Sequence, residues 1–171
     1  MSEQKSEIQY RDLSIARVFD APVEEVWKAW TVPERFKAWW GGGPYTTSKV
    51  EIDLREGGRF LWCMQAPAEE GSGTFCNAGT FQKIVPNQLL QFTTSASDEQ
   101  GNPISAPEWG GPAQFDTEVR FESLGGKTVL TYVERNWPVG EMFAYAYTGM
   151  VESLDKLEEA LKGASVTARR S

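Results

Sequence analysis

The 171 residues contain no histidine. That absence removes Ser-His-Asp and Cys-His nucleophilic catalysis, histidine metal ligands and the usual near-neutral proton shuttle. Glu51, Asp53, Arg55, Glu118 and Arg120 are the right types for acid–base pairs, yet each alternates with apolar neighbours in a two-residue period. Alternation puts them on a wet face, as a partly ion-paired surface. Glu141 and Glu152 are expected to be exposed too, so no pair of carboxylates is expected to be buried together and general acid–base chemistry has no strong candidate. Cys63 and Cys76 flank a polar hairpin tip symmetrically, on the outer face opposite Trp62 and Phe75. They are expected to be cross-strand neighbours. Direct cross-strand disulfides are strained and cytosolic thiols stay reduced, so two free thiols are expected rather than a redox pair. Gly41-Gly42-Gly43 lacks the Lys-Ser/Thr of a phosphate loop and reads as a helix stop.

The elements that must position these groups are legible from periodicity. Val139 to Gly163 places Phe143, Ala146, Tyr147, Met150, Leu154, Leu157 and Leu161 at steps of three and four, one buried face of an α-helix stopped by Gly163. Such a helix would run to about 37 Å, the width of a small domain. Lys156, Glu158, Glu159 and Lys162 fall off its stripe and should be wet. Asp12 to Phe19 reads as a first strand, and Pro22 and Pro33 open two short helices. From Ser48 the period changes to two, with Val50, Ile52 and Leu54, then Phe60, Trp62 and Met64, then Phe75, Gly79 and Phe81, then Leu90 and Phe92 on the dry side. Phe115 to Phe121 and Thr128 to Arg135 complete the set, the latter with Leu130 and Tyr132 inward. Short turns join most of the strands, so the sheet should be antiparallel with one dry face, curled around the terminal helix. The exception is the Gly- and Pro-rich segment 97–113, where Trp109 anchors the loop against the sheet or, alternatively, lids a cavity.

Composition narrows the function classes. A net charge of -7 argues against nucleic acid as a partner. No apolar run approaches the roughly 20 residues that span a membrane, and the polar N-terminus has no apolar leader segment, so a cytoplasmic protein is expected. With 40% hydrophobic residues the chain suits one core, a single domain over residues 10–163 with flexible tails at 1–9 and 164–171.

Several stretches carry a family resemblance. Arg17-Val-Phe-Asp-Ala-Pro22, Val26-Trp27-Lys-Ala-Trp-Thr31, Pro33-Glu34-Arg35 and Trp39-Trp40 resemble the opening of the activator of heat-shock protein 90 ATPase homologue-like family. Further matches are Asp53 to Gly58, Gly79 to Leu90, Asp98 to Pro103, Gly126 to Thr128 and Gly149 with Glu152 to Leu157. That family is a branch of the START and birch-pollen-allergen superfamily. The resemblance implies an α+β helix-grip fold: a curved antiparallel sheet of six or seven strands around a long C-terminal helix, with two short helices after the first strand. The family's usual Trp after the helix glycine is Met150 here.

The inward set Trp40, Phe60, Trp62, Phe81, Phe92, Leu130, Tyr132, Phe143, Tyr147 and Met150, with Trp109 above it, either lines a concave apolar pocket or fills the space as core. Because relatives of this fold often keep a cavity there, the resemblance implies a non-enzymatic module holding a small hydrophobic ligand, such as a fatty acid, sterol or aromatic polyketide, with no cofactor and no metal. A cavity too small for a drug-sized molecule would count against it. The alternatives are a co-chaperone module acting on heat-shock protein 90, and a polyketide cyclase or hydrolase using Tyr132, Tyr147 or Tyr45 as donor. The protein is expected to be a monomer or homodimer.

Overall fold

The two-residue alternation becomes one seven-stranded antiparallel sheet in the computed structural model, which describes residues 7–104 and 112–170, the stretch 164–170 as backbone alone. In chain order the elements are β1 (Tyr10–Phe19), α1 (Val23–Thr31), α2 (Pro33–Phe36), β2 (Thr46–Ile52), β3 (Arg59–Gln65) and β4 (Thr74–Val85). They continue with β5 (Leu89–Ser97), β6 (Gln114–Leu124), β7 (Lys127–Pro138) and α3 (Glu141–Arg170); a single 3₁₀ turn, Ala68–Glu70, sits between β3 and β4. Strand order is β1-β7-β6-β5-β4-β3-β2, so every sequential pair from β2 onward is a neighbour and only β1 crosses to the far edge, beside β7. This is the helix-grip architecture that the sequence implies.

The dry face and the helices share one core. Phe19, Val26, Trp30, Phe36, Trp39, Phe60, Phe92, Leu130, Leu154 and Leu157 are all essentially inaccessible. Gly79 makes part of this packing possible: a Cβ there would lie 2.5 Å from the Phe60 ring, which rests on the bare backbone of β4.

Three contacts seat α3. From the inner face of edge strand β1, Arg17 reaches Asp155 (2.6 Å) and Glu158 (3.2 Å) and donates to the Val151 carbonyl. The loop after α2 lies so close to the helix that a Cβ on Gly42 would sit 2.7 Å from the Gly149 carbonyl oxygen and 2.8 Å from its Cα. Lys156 donates to the carbonyls of Gly41 (2.6 Å) and Tyr45 (2.8 Å). This overturns the expectation that Lys156 is wet. A lysine just off the apolar stripe still reaches a loop laid across the helix, and burial lowers its pKa.

The structure moves several other boundaries. α3 runs past Gly163, expected as its stop, and starts at Glu141 because the Val139 N–H is engaged with the Gln9 carbonyl. β2 ends at Ile52, leaving Leu54 exposed, not inward.

The cysteines are the largest correction on the outer face. Cys63 and Cys76 stand directly opposite each other on β3 and β4, with Cα atoms 4.1 Å apart, and form a disulfide instead of two free thiols. The register provides the reason: an antiparallel pair at this spacing brings the two side chains together on the same face. That face is not wet here. Leu61, Cys63, Cys76 and Ala78 form a small second apolar cluster. The turn after β5 covers it, with the Cα of Gly101 placed so that an added Cβ would be 3.8 Å from Ala78 Cβ and 4.0 Å from Leu61 Cδ1. Arg59 and Lys49 hold that turn by donating to the carbonyls of Gly101 (3.1 Å) and Glu99 (3.1 Å). The described part of the long loop therefore lies on the face of the sheet opposite α3; Trp109 lies outside the described residues.

Two outcomes check this packing. Gly42→Ala should lower stability by about 2 kcal/mol, because the added carbon meets backbone that cannot yield. Gly149→Ala, whose added carbon meets nothing within 4 Å, should raise it by up to about 1 kcal/mol; urea midpoints of the two variants measure the asymmetry. Thiol titration of the unfolded protein should find none before reduction and both cysteines after it. For a bond spanning 13 residues, reduction should cost about 2–3 kcal/mol of stability.

Candidate functional site

The inner face of β7 carries Thr128, Leu130, Tyr132 and Glu134 in strict alternation, all buried. Period two alone would then turn Trp137 outward. Instead a bulge between Glu134 and Trp137 resets the phase: opposite it, the pairing with β1 shifts between Arg11 and Leu13. Asn136 takes the left-handed conformation (φ 62°) that the bulge needs, a geometry asparagine tolerates better than most residues. Asp12 on β1 fixes it, accepting from the Asn136 N–H (3.0 Å) and the Arg135 guanidinium (2.9 Å), and these bonds hold its carboxyl below the usual range. Glu134 and Trp137 therefore both face the interior.

Around them the neighbouring strands supply hydroxyls. Thr117 lies directly across from Glu134 on β6, and Thr94 is the next inward position beyond Phe92, which faces Thr117 from β5. Tyr132 donates its hydroxyl proton to Glu134 Oε1. Thr94, Thr117 and the indole nitrogens of Trp30, Trp40, Trp62 and Trp137 are buried without a hydrogen-bond partner. A buried, unpaired polar atom costs about 1–3 kcal/mol; of the six, Thr94, Thr117 and Trp137 lie around Glu134, and Trp30, Trp40 and Trp62 lie among the packed rings.

Burial dominates the electrostatics. Loss of hydration raises the Glu134 pKa to about 7, although the hydrogen bond from Tyr132 and the facing Trp137 indole both favour its anion. The Trp137 N–H faces the carboxylate without making a hydrogen bond of normal geometry. Burial, and then the Glu134 charge, push the Tyr132 hydroxyl well above its ordinary value. Among the described residues Glu134 has no ion-pair partner, and no cluster of side chains there is arranged to hold a metal ion. The arrangement can exchange one proton near neutrality and bind a polar group inside an apolar wall.

Most of the anticipated lining residues meet in one cluster. Trp62 stacks on Phe60 (4.2 Å between ring centres) and packs against Phe36 (4.6 Å), Trp40 (5.1 Å) and Phe92 (5.5 Å); Phe81 follows Phe60 at 5.3 Å. Trp30 continues the chain of rings to Tyr132 at 5.9 Å. Leu130 and Met150 are buried in the same core, and Phe143 packs on it half-buried. These rings fill the space beneath α1, α2 and the middle of α3. Tyr147 is set apart, 41% exposed, in the N-terminal half of α3, where Phe143 and Ala146 pack against the core but remain half-buried. Tyr45 is also outside, its hydroxyl donating to Glu70 on the surface (2.6 Å). Glu134 is the candidate site residue that sequence reasoning missed. Leu130 and Tyr132 already put the next alternate residue indoors, so the signal was present; the charge masked it. Two open grooves of about 350 and 430 Å³ lie on the outer face, around Thr93 and Gln114, and neither is the pocket expected between the sheet and α3.

The linkage sign is fixed by the raised pKa. Native Glu134 binds a proton more tightly than the unfolded residue, so its penalty is absent below the ordinary value of 4.5 and complete above about 7. Stability should therefore fall between those values as pH rises, by on the order of 3 kcal/mol. Glu134→Gln should remove that slope; urea unfolding at pH 5 and pH 8 measures it.

Comparison with known proteins agrees with this architecture. Residues 20–162 match the family described as "Activator of Hsp90 ATPase homolog 1-like protein". Protein CV1439 from Chromobacterium violaceum has a similar crystal structure (23% identity over 88% of this chain and 96% of that one, TM-score 0.74). Protein NE0264 from Nitrosomonas europaea is similar at 25% identity (91% and 96% covered, TM-score 0.73), as is an AHSA1-like protein from Aeromonas hydrophila at 23% (91% and 94%, TM-score 0.66). Among curated proteins none matches this sequence. The family match over most of the length leaves one conclusion: the chain belongs to the activator of Hsp90 ATPase homolog 1-like protein family.

Proposed function

We propose that this protein is a non-enzymatic binding module that holds a small amphipathic molecule between the sheet and the N-terminal half of α3. The observation that carries the reading is the polar set Glu134, Tyr132, Thr117 and Trp137 enclosed by an aromatic wall. Ligand sites are mostly apolar with a few convergent polar groups, and this interior has that composition. The ring cluster occupies the α2 side, so a ligand takes the end of the sheet where β7 leads into α3. There Phe143 and Ala146 are half-buried and Tyr145 and Tyr147 exposed, the loosest stretch of the helix over the sheet. Displacing those few contacts admits a guest of modest size; a bulky sterol or long acyl chain would have to displace the ring cluster as well.

A second reading rests on the same pair. A carboxyl that titrates near neutrality beside a tyrosine hydroxyl suits proton transfer to a bound keto or hydroxy compound, as in a cyclase or hydrolase. Stimulation of a heat-shock protein 90 ATPase draws on the family alone and on no feature of this interior.

Native mass spectrometry of the freshly purified protein tests the first reading. A retained small molecule is expected, released on denaturation, and Thr117→Leu, which removes the hydroxyl and adds bulk beside Glu134, should lose it while remaining folded. A bare polypeptide mass, with no thermal shift from any aromatic amphiphile, would overturn the proposal.

A further inference from the structure

The charge balance of the interior narrows the ligand further, a step that rests on the binding reading proposed above. Glu134 is enclosed on three strands: Leu13 faces it from β1, Thr117 from β6, and Tyr132 and Trp137 flank it along β7. None of these is a cation. Arg135, the next residue along, points to the outer face and is spent on Asp12. Two basic side chains share the inner side of β1: Arg17 is paired with Asp155 and Glu158 on α3, and Arg11, opposite Trp137 at the rim, is exposed and makes no ion pair with Glu134. A guest entering this space therefore meets a carboxyl with no counter-charge and a hydroxyl, Thr117, free to donate or accept.

We infer that the ligand presents an uncharged or cationic head that donates a hydrogen bond to Glu134, an ammonium or a hydroxyl on a compact aromatic body, and that molecules with a carboxylate head are excluded. A donor head adds a full hydrogen bond to a carboxyl that holds one from Tyr132 and a poorly aligned approach from Trp137, and it relieves Thr117. An ammonium also supplies the missing counter-charge, and the ring faces around it favour a cation. The unpaired indole N–H groups argue only weakly the other way. The Trp137 N–H is the one beside Glu134, and a carboxylate reaching it would lie within the field of Glu134 in a medium that screens poorly. The more distant indoles suit neutral carbonyl or ether oxygens on the ligand's body. Fatty acids, reasonable guests for an apolar interior read from its sequence, are thereby set aside.

Three probes with one ring system separate the possibilities: 2-naphthylmethylamine, 2-naphthylmethanol and 2-naphthoate, each titrated at pH 8, where Glu134 is ionised, into the full-length protein and followed by native mass spectrometry and thermal shift. The amine and the alcohol should bind, and naphthoate should bind at least about tenfold more weakly, the conservative end of a buried like-charge contact. In Glu134→Gln that gap should close, through loss of amine binding and gain of naphthoate binding. The wild-type series alone decides the matter if this variant does not fold. Equal binding of naphthoate and the amine by the wild type would overturn the head-group assignment while leaving interior binding intact. Failure of all three to bind would overturn both.

Discussion

Phe60, Trp62, Phe92, Leu130 and Tyr132 project from one side of a sheet that no second sheet among the described residues covers. Each such side chain loses about 1.5–3 kcal/mol if left in water, so the strands hold together as a folded unit only while helices lie over that side. α1, α2 and the C-terminal half of α3 do so with rings and leucines. The seating of α3 is set by groups that are not part of the apolar stripe: Arg17 from the edge strand, Lys156 to the loop carbonyls, and the bare backbone contact of Gly42 with Gly149. Together they fix the helix in position along its axis, which hydrophobic contact, being non-directional, does not do.

Once α3 is fixed, its N-terminal half stands over the end of the sheet where β7 departs from regular geometry. The bulge at Asn136 is small, yet it turns two residues, Glu134 and Trp137, to the same side. The buried carboxyl and the hydroxyls of Tyr132, Thr117 and Thr94 come together in this part of the interior. On the α2 side the corresponding positions are rings packed against rings. The placing of a buried carboxyl and an indole at this end of the interior follows from where the bulge falls, and the functional reading follows from that placing.

The outer face has its own organisation. The disulfide, Leu61 and Ala78 lie beneath the turn after β5, which Asp98 stiffens by accepting from the Gln100 and Asn102 N–H groups (2.9 Å each). β3 and β4 are thus sandwiched between the ring cluster and this turn. They are covered on both faces, which is unusual for part of an antiparallel sheet. No helix among the described residues is long and apolar enough to cross a membrane.

By itself the sequence determined the order and type of the elements, the dry side of each strand, and the absence of histidine chemistry, because these depend on residue type and on spacing within one segment. Family membership belongs here too, carried by stretches such as Arg17 to Pro22 and Trp39-Trp40. Tertiary structure alone decided what stands opposite each residue. Glu134 became a buried acid because Thr117 and Leu13 close over it from other strands, and Trp137 turned inward because Asp12, more than a hundred residues away in sequence, holds the bulge. Cys63 met Cys76 through register, Lys156 was half-buried by the loop after α2, and Tyr147 was left in water where the helix packs loosely. Periodicity tells which way a side chain points; only the folded chain supplies its neighbours, and burial, pairing and pKa depend on the neighbours.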